Sequence, residues 1–333
     1  MKKLTYSLLP LGITVGLCLN IAPASATLLV REVIPDAALS IDGFGSLSNN
    51  GVIQANIPTG STIQRAYLYA TSVWDSSPVY DVIFHGTTLS VGSATILGPD
   101  QNPATTARWD VTSIIASSFT GGLQDFSILE NGDNDGEVLV VAYSNPSTQG
   151  FTSVILDGEL STGGDTIQFD FASPYTGGDF LVSLASSYSR QPSGQFTQID
   201  VTTNSTINRR LTTSAGGADD RTTGELSDNG NLITVGGIGD NPANVAPTTE
   251  PMDTNPDDEY YNLALGNSAN PAPFILPGDT FLRLTTKNPT DDDNVFGMFI
   301  TISPTPVPEP SMTLGIFGIG AIGALISRLG KKS

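Results

Sequence analysis

Almost no stretch of this chain repeats apolar residues at the three-to-four spacing that lets a helix bury one face. Gly, Pro, Thr, Ser or Asn breaks the sequence at intervals of roughly ten residues. Between the breaks lie short runs rich in β-branched and aromatic residues: "TLLVREV", "RAYLYATSVW", "YDVIFH", "DFSIL", "EVLVVAY", "SVILDGEL", "TIQFDF", "FLVSLASSY", "FTQIDVTT", "NLITVGG", "FLRLTTK" and "VFGMFITIS". A chain built this way can bury apolar surface only by pairing strands. The expectation is therefore an all-β fold of one or two packed sandwich or jelly-roll-like lobes.

Side-chain patterning sharpens the expectation. Ile167, Phe169 and Phe171 alternate with Thr166, Gln168 and Asp170, which gives that strand one wet face. "VLVVAY" is apolar on both faces and belongs in the middle of a sheet. Phe296, Met298, Ile300 and Ile302 alternate toward a core. One short helix fits "DVTSIIASSF", with Asp110 or Thr112 as its cap. A body of this length suits two lobes, 27–172 and 173–303, divided at the turn-rich "ASPYTGGD", which is too short to be a flexible linker.

Charge and composition exclude several functions. Residues 27–310 hold all 33 acidic residues but only 9 of the 14 basic ones, so nucleic acid and anionic lipid would be repelled. Cys18, the one cysteine, lies in the N-terminal segment, leaving the body without disulfides or thiolate metal sites. A Ser-His-Asp triad would rest on His85 alone, and His85 reads more simply as the end of a strand before a glycine turn.

Both ends read as addresses. Residues 1–26 begin with Lys2 and Lys3, continue through an apolar run and finish at Ala24-Ser25-Ala26, the small-residue site of a signal peptide that signal peptidase removes. Residues 304–333 form a Pro-rich linker and tail, with Val307-Pro308-Glu309-Pro310, an uncharged run from Ser311 to Ser327, and then Arg328, Lys331 and Lys332. As a helix that run spans about 25 Å, slightly less than a hydrocarbon core, and its basic end would stay cytoplasmic. These three parts in order resemble the PEP-CTERM sorting signal of Gram-negative bacteria. The resemblance implies a membrane anchor through the tail alone, then cleavage by an exosortase-type membrane protease and release toward the envelope or the extracellular matrix.

The body carries a second resemblance. "IQRAYLYATSVW", "RWDVTSII", "DNDGEVLVVAYSNPS" and "SVILDGEL" are similar, over residues 64–160, to a β-rich module of bacterial and archaeal surface proteins. Farther on, "TTSAGGADDRTTGE", "NGNLITVGGIGDNP", "DDEYYNL" and "NPTDDDNVF" resemble segments of exported PEP-CTERM proteins. This implies a location and a fold, without catalytic residues.

Acidic loops supply the candidate metal ligands. Asn131, Asp133 and Asp135 stand at i, i+2 and i+4 before Gly136, as in the opening of a calcium loop. Ala142 occupies the place where an EF-hand needs a bidentate Glu, so only a shorter β-type loop remains; Asn-Gly and Asp-Gly are equally ordinary hairpin turns. Asp257, Asp258 and Glu259 in "NPDDEYYNL", and Asp291, Asp292, Asp293 and Asn294 in "NPTDDDNVF", offer hard oxygens suited to a structural Ca²⁺, or splay into water as solvated turns. Asp219, Asp220, Asp228, Asn229 and Asp240 form a fourth group, in which "GGIGDNP" has Pro242 at the third glycine position of a dinucleotide fingerprint and reads as a turn.

Glycoside hydrolysis needs only two carboxylates, but Glu130, Glu137, Glu159, Glu225 and Glu259 all lack a context that signals a raised pKa. For glycan binding the candidate platforms are Trp74, Trp109, Tyr260 and Tyr261, although aromatics in sandwiches more often fill the core, and an extracellular polysaccharide would be the partner. The sequence favours a non-enzymatic structural or adhesive protein stabilised by Ca²⁺, ahead of a calcium-dependent glycan-binding module and a glycan-active hydrolase.

Overall fold

The computed structural model describes residues 28–45, 49–73, 79–97, 105–161, 163–187, 197–215, 232–243, 259–267, 270–289 and 294–304. The segment expected to be a signal peptide, with Ala24 and Ala26, and the tail with Val307, Pro308, Glu309 and Pro310, lie outside them. So do Trp74, Asp257, Asp258, Asp291, Asp292 and Asp293.

Every strand pairing among the described residues is antiparallel, and the strands form four sheets. Sheet I runs β3 (Asn50–Ile57), β9 (Gly122–Glu130), β5 (Val82–Phe84), β6 (Thr87–Leu89). Sheet II runs β2 (Ala38–Phe44), β10 (Asn134–Ser144), β4 (Thr62–Ser72), β8 (Thr106–Asp110), β7 (Thr95–Leu97). Sheet III runs β1 (Leu29–Pro35), β11 (Thr152–Asp157), β19 (Asn294–Ile302), β13 (Phe180–Ser187), β16 (Ile233–Val235), with β17 (Tyr260–Asn262) also on β13. Sheet IV runs β12 (Thr166–Asp170), β18 (Phe281–Lys287), β14 (Thr197–Thr202), β15 (Arg209–Ala215).

Alternation along the strands stacks these sheets into four layers with three cores. Phe126 and Ile128 of β9 meet Leu68, Leu139 and Val141 between sheets I and II. Tyr67, Tyr69, Val138 and Val140 of sheet II meet Ile155, Phe296 and Phe299 of sheet III. Val182, Met298 and Ile300 of sheet III meet Phe169, Val201 and Leu284 of sheet IV. β10 thus buries odd-numbered residues on one side and even-numbered ones on the other, as its unbroken apolar run requires. β12 keeps Ile167 and Phe169 inside and Gln168 in water.

The middle interface makes the two sandwiches one body. Tyr69 packs between Phe296 and Phe299 with ring centroids 6.1 and 5.8 Å away, and its hydroxyl donates to Asp157 Oδ2 at 3.0 Å. Arg108 of β8 pairs with the same carboxylate, both side chains being buried. Glu159, just beyond β11, accepts the backbone N–H of Thr106 at 2.6 Å. The Asp-Gly-Glu that ends β11 therefore clamps sheet III to β8.

Two sequence expectations need amendment. The sandwiches do not divide along the chain at residue 172: β1 and β11, from the first part, pair into sheet III beside β13 and β19. The segment at 172–179 is docked, with Tyr175 buried and its N–H on Asp279 O at 2.8 Å. Phe296 also departs from the alternation. Ser186 pairs with Val295 and Ala185 with Gly297, so Phe296 is an extra residue in a β-bulge and turns toward sheet II while Met298 and Ile300 face sheet IV.

The short helix is α1 (Thr112–Ser118); Asp110 Oδ1 accepts the Thr112 N–H at 2.9 Å at its start. His85 and Gly86 make the two-residue turn between β5 and β6, both at positive φ (47° and 79°), the geometry of a type I′ hairpin. Gly237-Ile238-Gly239 is a turn resting on β2, where the Ile238 N–H reaches Ile41 O at 3.0 Å.

Candidate functional site: a buried carboxyl pair

β9 and β10 are joined at Asn131–Asp133, and their inward faces carry the most unusual chemistry among the described residues. Glu130 extends the Phe126, Ile128 alternation by one step and so points between sheets I and II. On β10, Asn134 pairs with Ser72 and Gly136 with Thr71, leaving Asp135 as a bulged residue. The extra residue puts Asn134 and Glu137 on one face: Asn134 Nδ2 lies 3.5 Å from Glu137 Oε1, while the Asn134 N–H donates to Glu130 Oε2 at 3.3 Å. Gly136 makes the bulge possible, since its φ is 138° and a Cβ there would sit 2.0 Å from Phe44 O. Asn134 is itself held by Tyr80, whose N–H donates to Asn134 Oδ1 at 2.9 Å.

Glu130 is 5% exposed and Glu137 fully buried, and the two carboxyls hydrogen-bond to each other. Glu130 Oε1 and Glu137 Oε2 face no N–H or hydroxyl donor. No ion pair among the described residues includes either. Burial pushes Glu130 up to about 8, helped by the charges of Asp135 and Asp133 and opposed by the Asn134 N–H and the Glu137 hydrogen bond. Glu137 is driven well above the carboxylate range by burial and then by Glu130. Near neutral pH both carboxyls are therefore shifted toward their uncharged, protonated form. This overturns the expectation that none of the glutamates has a raised pKa. The signal was present in the parity of β9, where the two residues preceding Glu130 on its face, Ile128 and Phe126, are apolar.

The hairpin does not gather the alternate residues expected to bind calcium. Asn131 and Asp133 are exposed while Asp135 is buried, and Asp133 Oδ1 accepts from Asn49 Nδ2 at 3.3 Å. Among the described residues no three His, Cys, Asp or Glu side chains come together as a metal would require. Glu259 is buried at the head of β17, and Asn294 opens β19 opposite Ser187.

The aromatic candidates separate by strand parity. Trp109 is 4% exposed in the core of sheets I and II, with its indole N–H on Ser90 O at 2.9 Å, and Tyr261 lies in the core of sheets III and IV. Both rings are covered by protein, which removes them as sugar platforms. Tyr260, its neighbour on the opposite face of β17, is half-buried. Burial, then the charge of Asp240, pushes its hydroxyl up to about 12.

Among the described residues no helix is long and apolar enough to cross a membrane; the tail lies outside them. Solved structures similar to the chain include one described as PNGF-II, 10% identical, covering 86% of this chain and 67% of that one at a TM-score of 0.26. Another is the N-terminal CBM22-1–CBM22-2 tandem of Paenibacillus barcinonensis Xyn10C, 11% identical, covering 88% of this chain and 99% of that one at a TM-score of 0.18. No curated protein sequence matches the chain. Residues 306–331 do match a family, described as the PEP-CTERM protein-sorting motif, which implies a membrane anchor before processing and an exosortase that removes it. The chain is therefore an exported protein carrying a PEP-CTERM sorting motif at its C-terminus.

Proposed function

We propose that this is a non-enzymatic structural or adhesive component of a Gram-negative envelope or extracellular matrix, processed at both ends and stabilised by Ca²⁺. The observation that carries the reading is the sorting motif following directly on a body whose three interlayer cores are filled by side chains. Intact-mass measurement on protein recovered from the envelope tests it. The mature chain is expected to lack residues 1–26 and Ser311 to Ser333; a full-length tail refutes the sorting step.

The calcium reading rests on the loops before β17 and β19. Both strands run antiparallel to β13, on opposite sides of it, with Tyr260 opposite Ser183 and Asn294 opposite Ser187. The chain thus enters both strands in the same direction, with Glu259 beside the middle of β13 and Asn294 beside its end, and the carboxylates that precede them in sequence are the ligands proposed. A cation there would replace repulsion by shared coordination, and excess Ca²⁺ is expected to raise Tm by mass action. An unchanged Tm after chelation leaves these loops as solvated turns.

Glycan binding is the second reading, favoured by the part-exposed ring of Tyr260 beside Asp240. Glycan-array binding abolished by Trp74→Ala or Tyr260→Ala would raise it above the first. A hydrolase would draw on Glu130 and Glu137, but these carboxyls bond to each other inside the sandwich, with no room between them for a glycosidic bond. Glu137 is also fully buried, beyond the reach of a sugar.

A further inference from the structure

The last strand of the body is anchored almost up to the sorting motif. Ile302 ends β19 between Thr152 and Phe180. Beyond it the Ser303 N–H donates to Asp179 O at 3.0 Å, and the Asp179 N–H donates to Ser303 Oγ at 3.2 Å. Pro304 lies against Gly150, whose N–H is held by Asp36 Oδ1 at 2.7 Å. The motif begins at residue 306, with Val307 three residues past Pro304 and Pro310 six residues past it. Fully extended, those residues span only about 10 to 20 Å. A protease that takes several extended residues into its cleft around the Pro-Glu-Pro must come up against the folded sheet.

We propose that this end of sheet III, formed by Asp36, Gln149, Gly150, Asp179, Ser303 and Pro304, is the surface on which the membrane-embedded processing protease docks. The inference rests on the sorting reading above and adds a specific contact face to it. Asp36, Gln149, Asp179 and Pro304 are exposed and available for that contact. The opposite end of the sheet, where Leu160 donates to Val295 O and exposed Ser161 follows, lies a strand's length away and faces off the docked protease.

Because the body lacks cysteine, one introduced thiol can mark either end. Precursors carrying Gln149→Cys or Ser161→Cys would be accumulated in membranes without the protease, capped with a bulky maleimide polymer, and then exposed to protease-containing membranes. Loss of the tail would be followed by mass. The capped Gln149→Cys chain should be cut roughly tenfold more slowly or worse, as when docking orientation is blocked. The capped Ser161→Cys chain should be cut at the unmodified rate, and a long Gly-Ser spacer after Pro304 should leave the capped Gln149→Cys chain slow because the docking face stays covered; recovery with the spacer would mean the cap only crowds the motif and would overturn the docking face. Equal rates at both positions, whether fast or slow, overturn the docking face. An unmodified precursor that is never cut refutes the sorting reading itself.

Discussion

Replacing Glu130 by Gln should make the protein more stable in mild alkali and leave it nearly unchanged in mild acid. The carboxyl rises from an ordinary 4.5 to about 8 on folding, so the unfolded chain releases this proton several pH units before the folded one does. Stability from the protonated pair is therefore fully present below the unfolded value and is lost as pH climbs toward 8. At about 1.4 kcal/mol per pH unit, the rise amounts to on the order of 5 kcal/mol across that window. Glutamine keeps the volume and a hydrogen-bonding end but has no proton to lose. Urea midpoints taken from pH 5 to 8.5 for both proteins would report the pair, since titrating groups away from Glu130 and its neighbour Glu137 cancel in the difference and an unchanged m-value would show that neither end state has altered. The gap between Glu130→Gln and the parent should widen steadily with pH. A gap that stays flat, or narrows, would refute the claim that Glu130 is held protonated in the sandwich interior.

Removing one partner of the Arg108–Asp157 pair, as in Arg108→Ala, should cost about 3–5 kcal/mol in urea unfolding, whereas Arg108→Met with Asp157→Leu should come out close to neutral. Gly136→Ala forces a Cβ onto Phe44 O at positive φ and should lower stability by roughly 2 kcal/mol or more, read from the thermal midpoint. His85→Asn, which suits the left-handed turn, should leave Tm within about a degree or two; a large fall would mean the imidazole does more than hold a hairpin.

The fold class was legible because strand parity is written in the sequence. β10 reads as doubly buried, β12 as half wet, and Gly86 as a turn, all from neighbours within a few positions, while His85, read as a strand end, is the first residue of that turn. What escaped was decided by single inserted residues and by distant pairing. One bulge at Phe296 reverses the facing of everything before it, and another at Asp135 brings Asn134 and Glu137 together. The membership of β1 and β11 in sheet III depends on partners far along the chain, which no local pattern encodes. Asn131, Asp133 and Asp135 were conspicuous for their composition, yet the inward chemistry belongs to Glu130 and Glu137 on either side of them.

The placement of β19 has a consequence for export. Sheet III runs from β1, the first strand among the described residues, through β11 to β19, the last of them, with β13 on its far side. A polypeptide threaded across a membrane N-terminus first delivers the edge of this sheet early and its middle at the very end. β11 and β13 must wait, each with one flank open, until the final strand emerges and slots between them. The second sandwich can therefore close only once residues 294–302 are available, a few residues ahead of the sorting motif at 306–331.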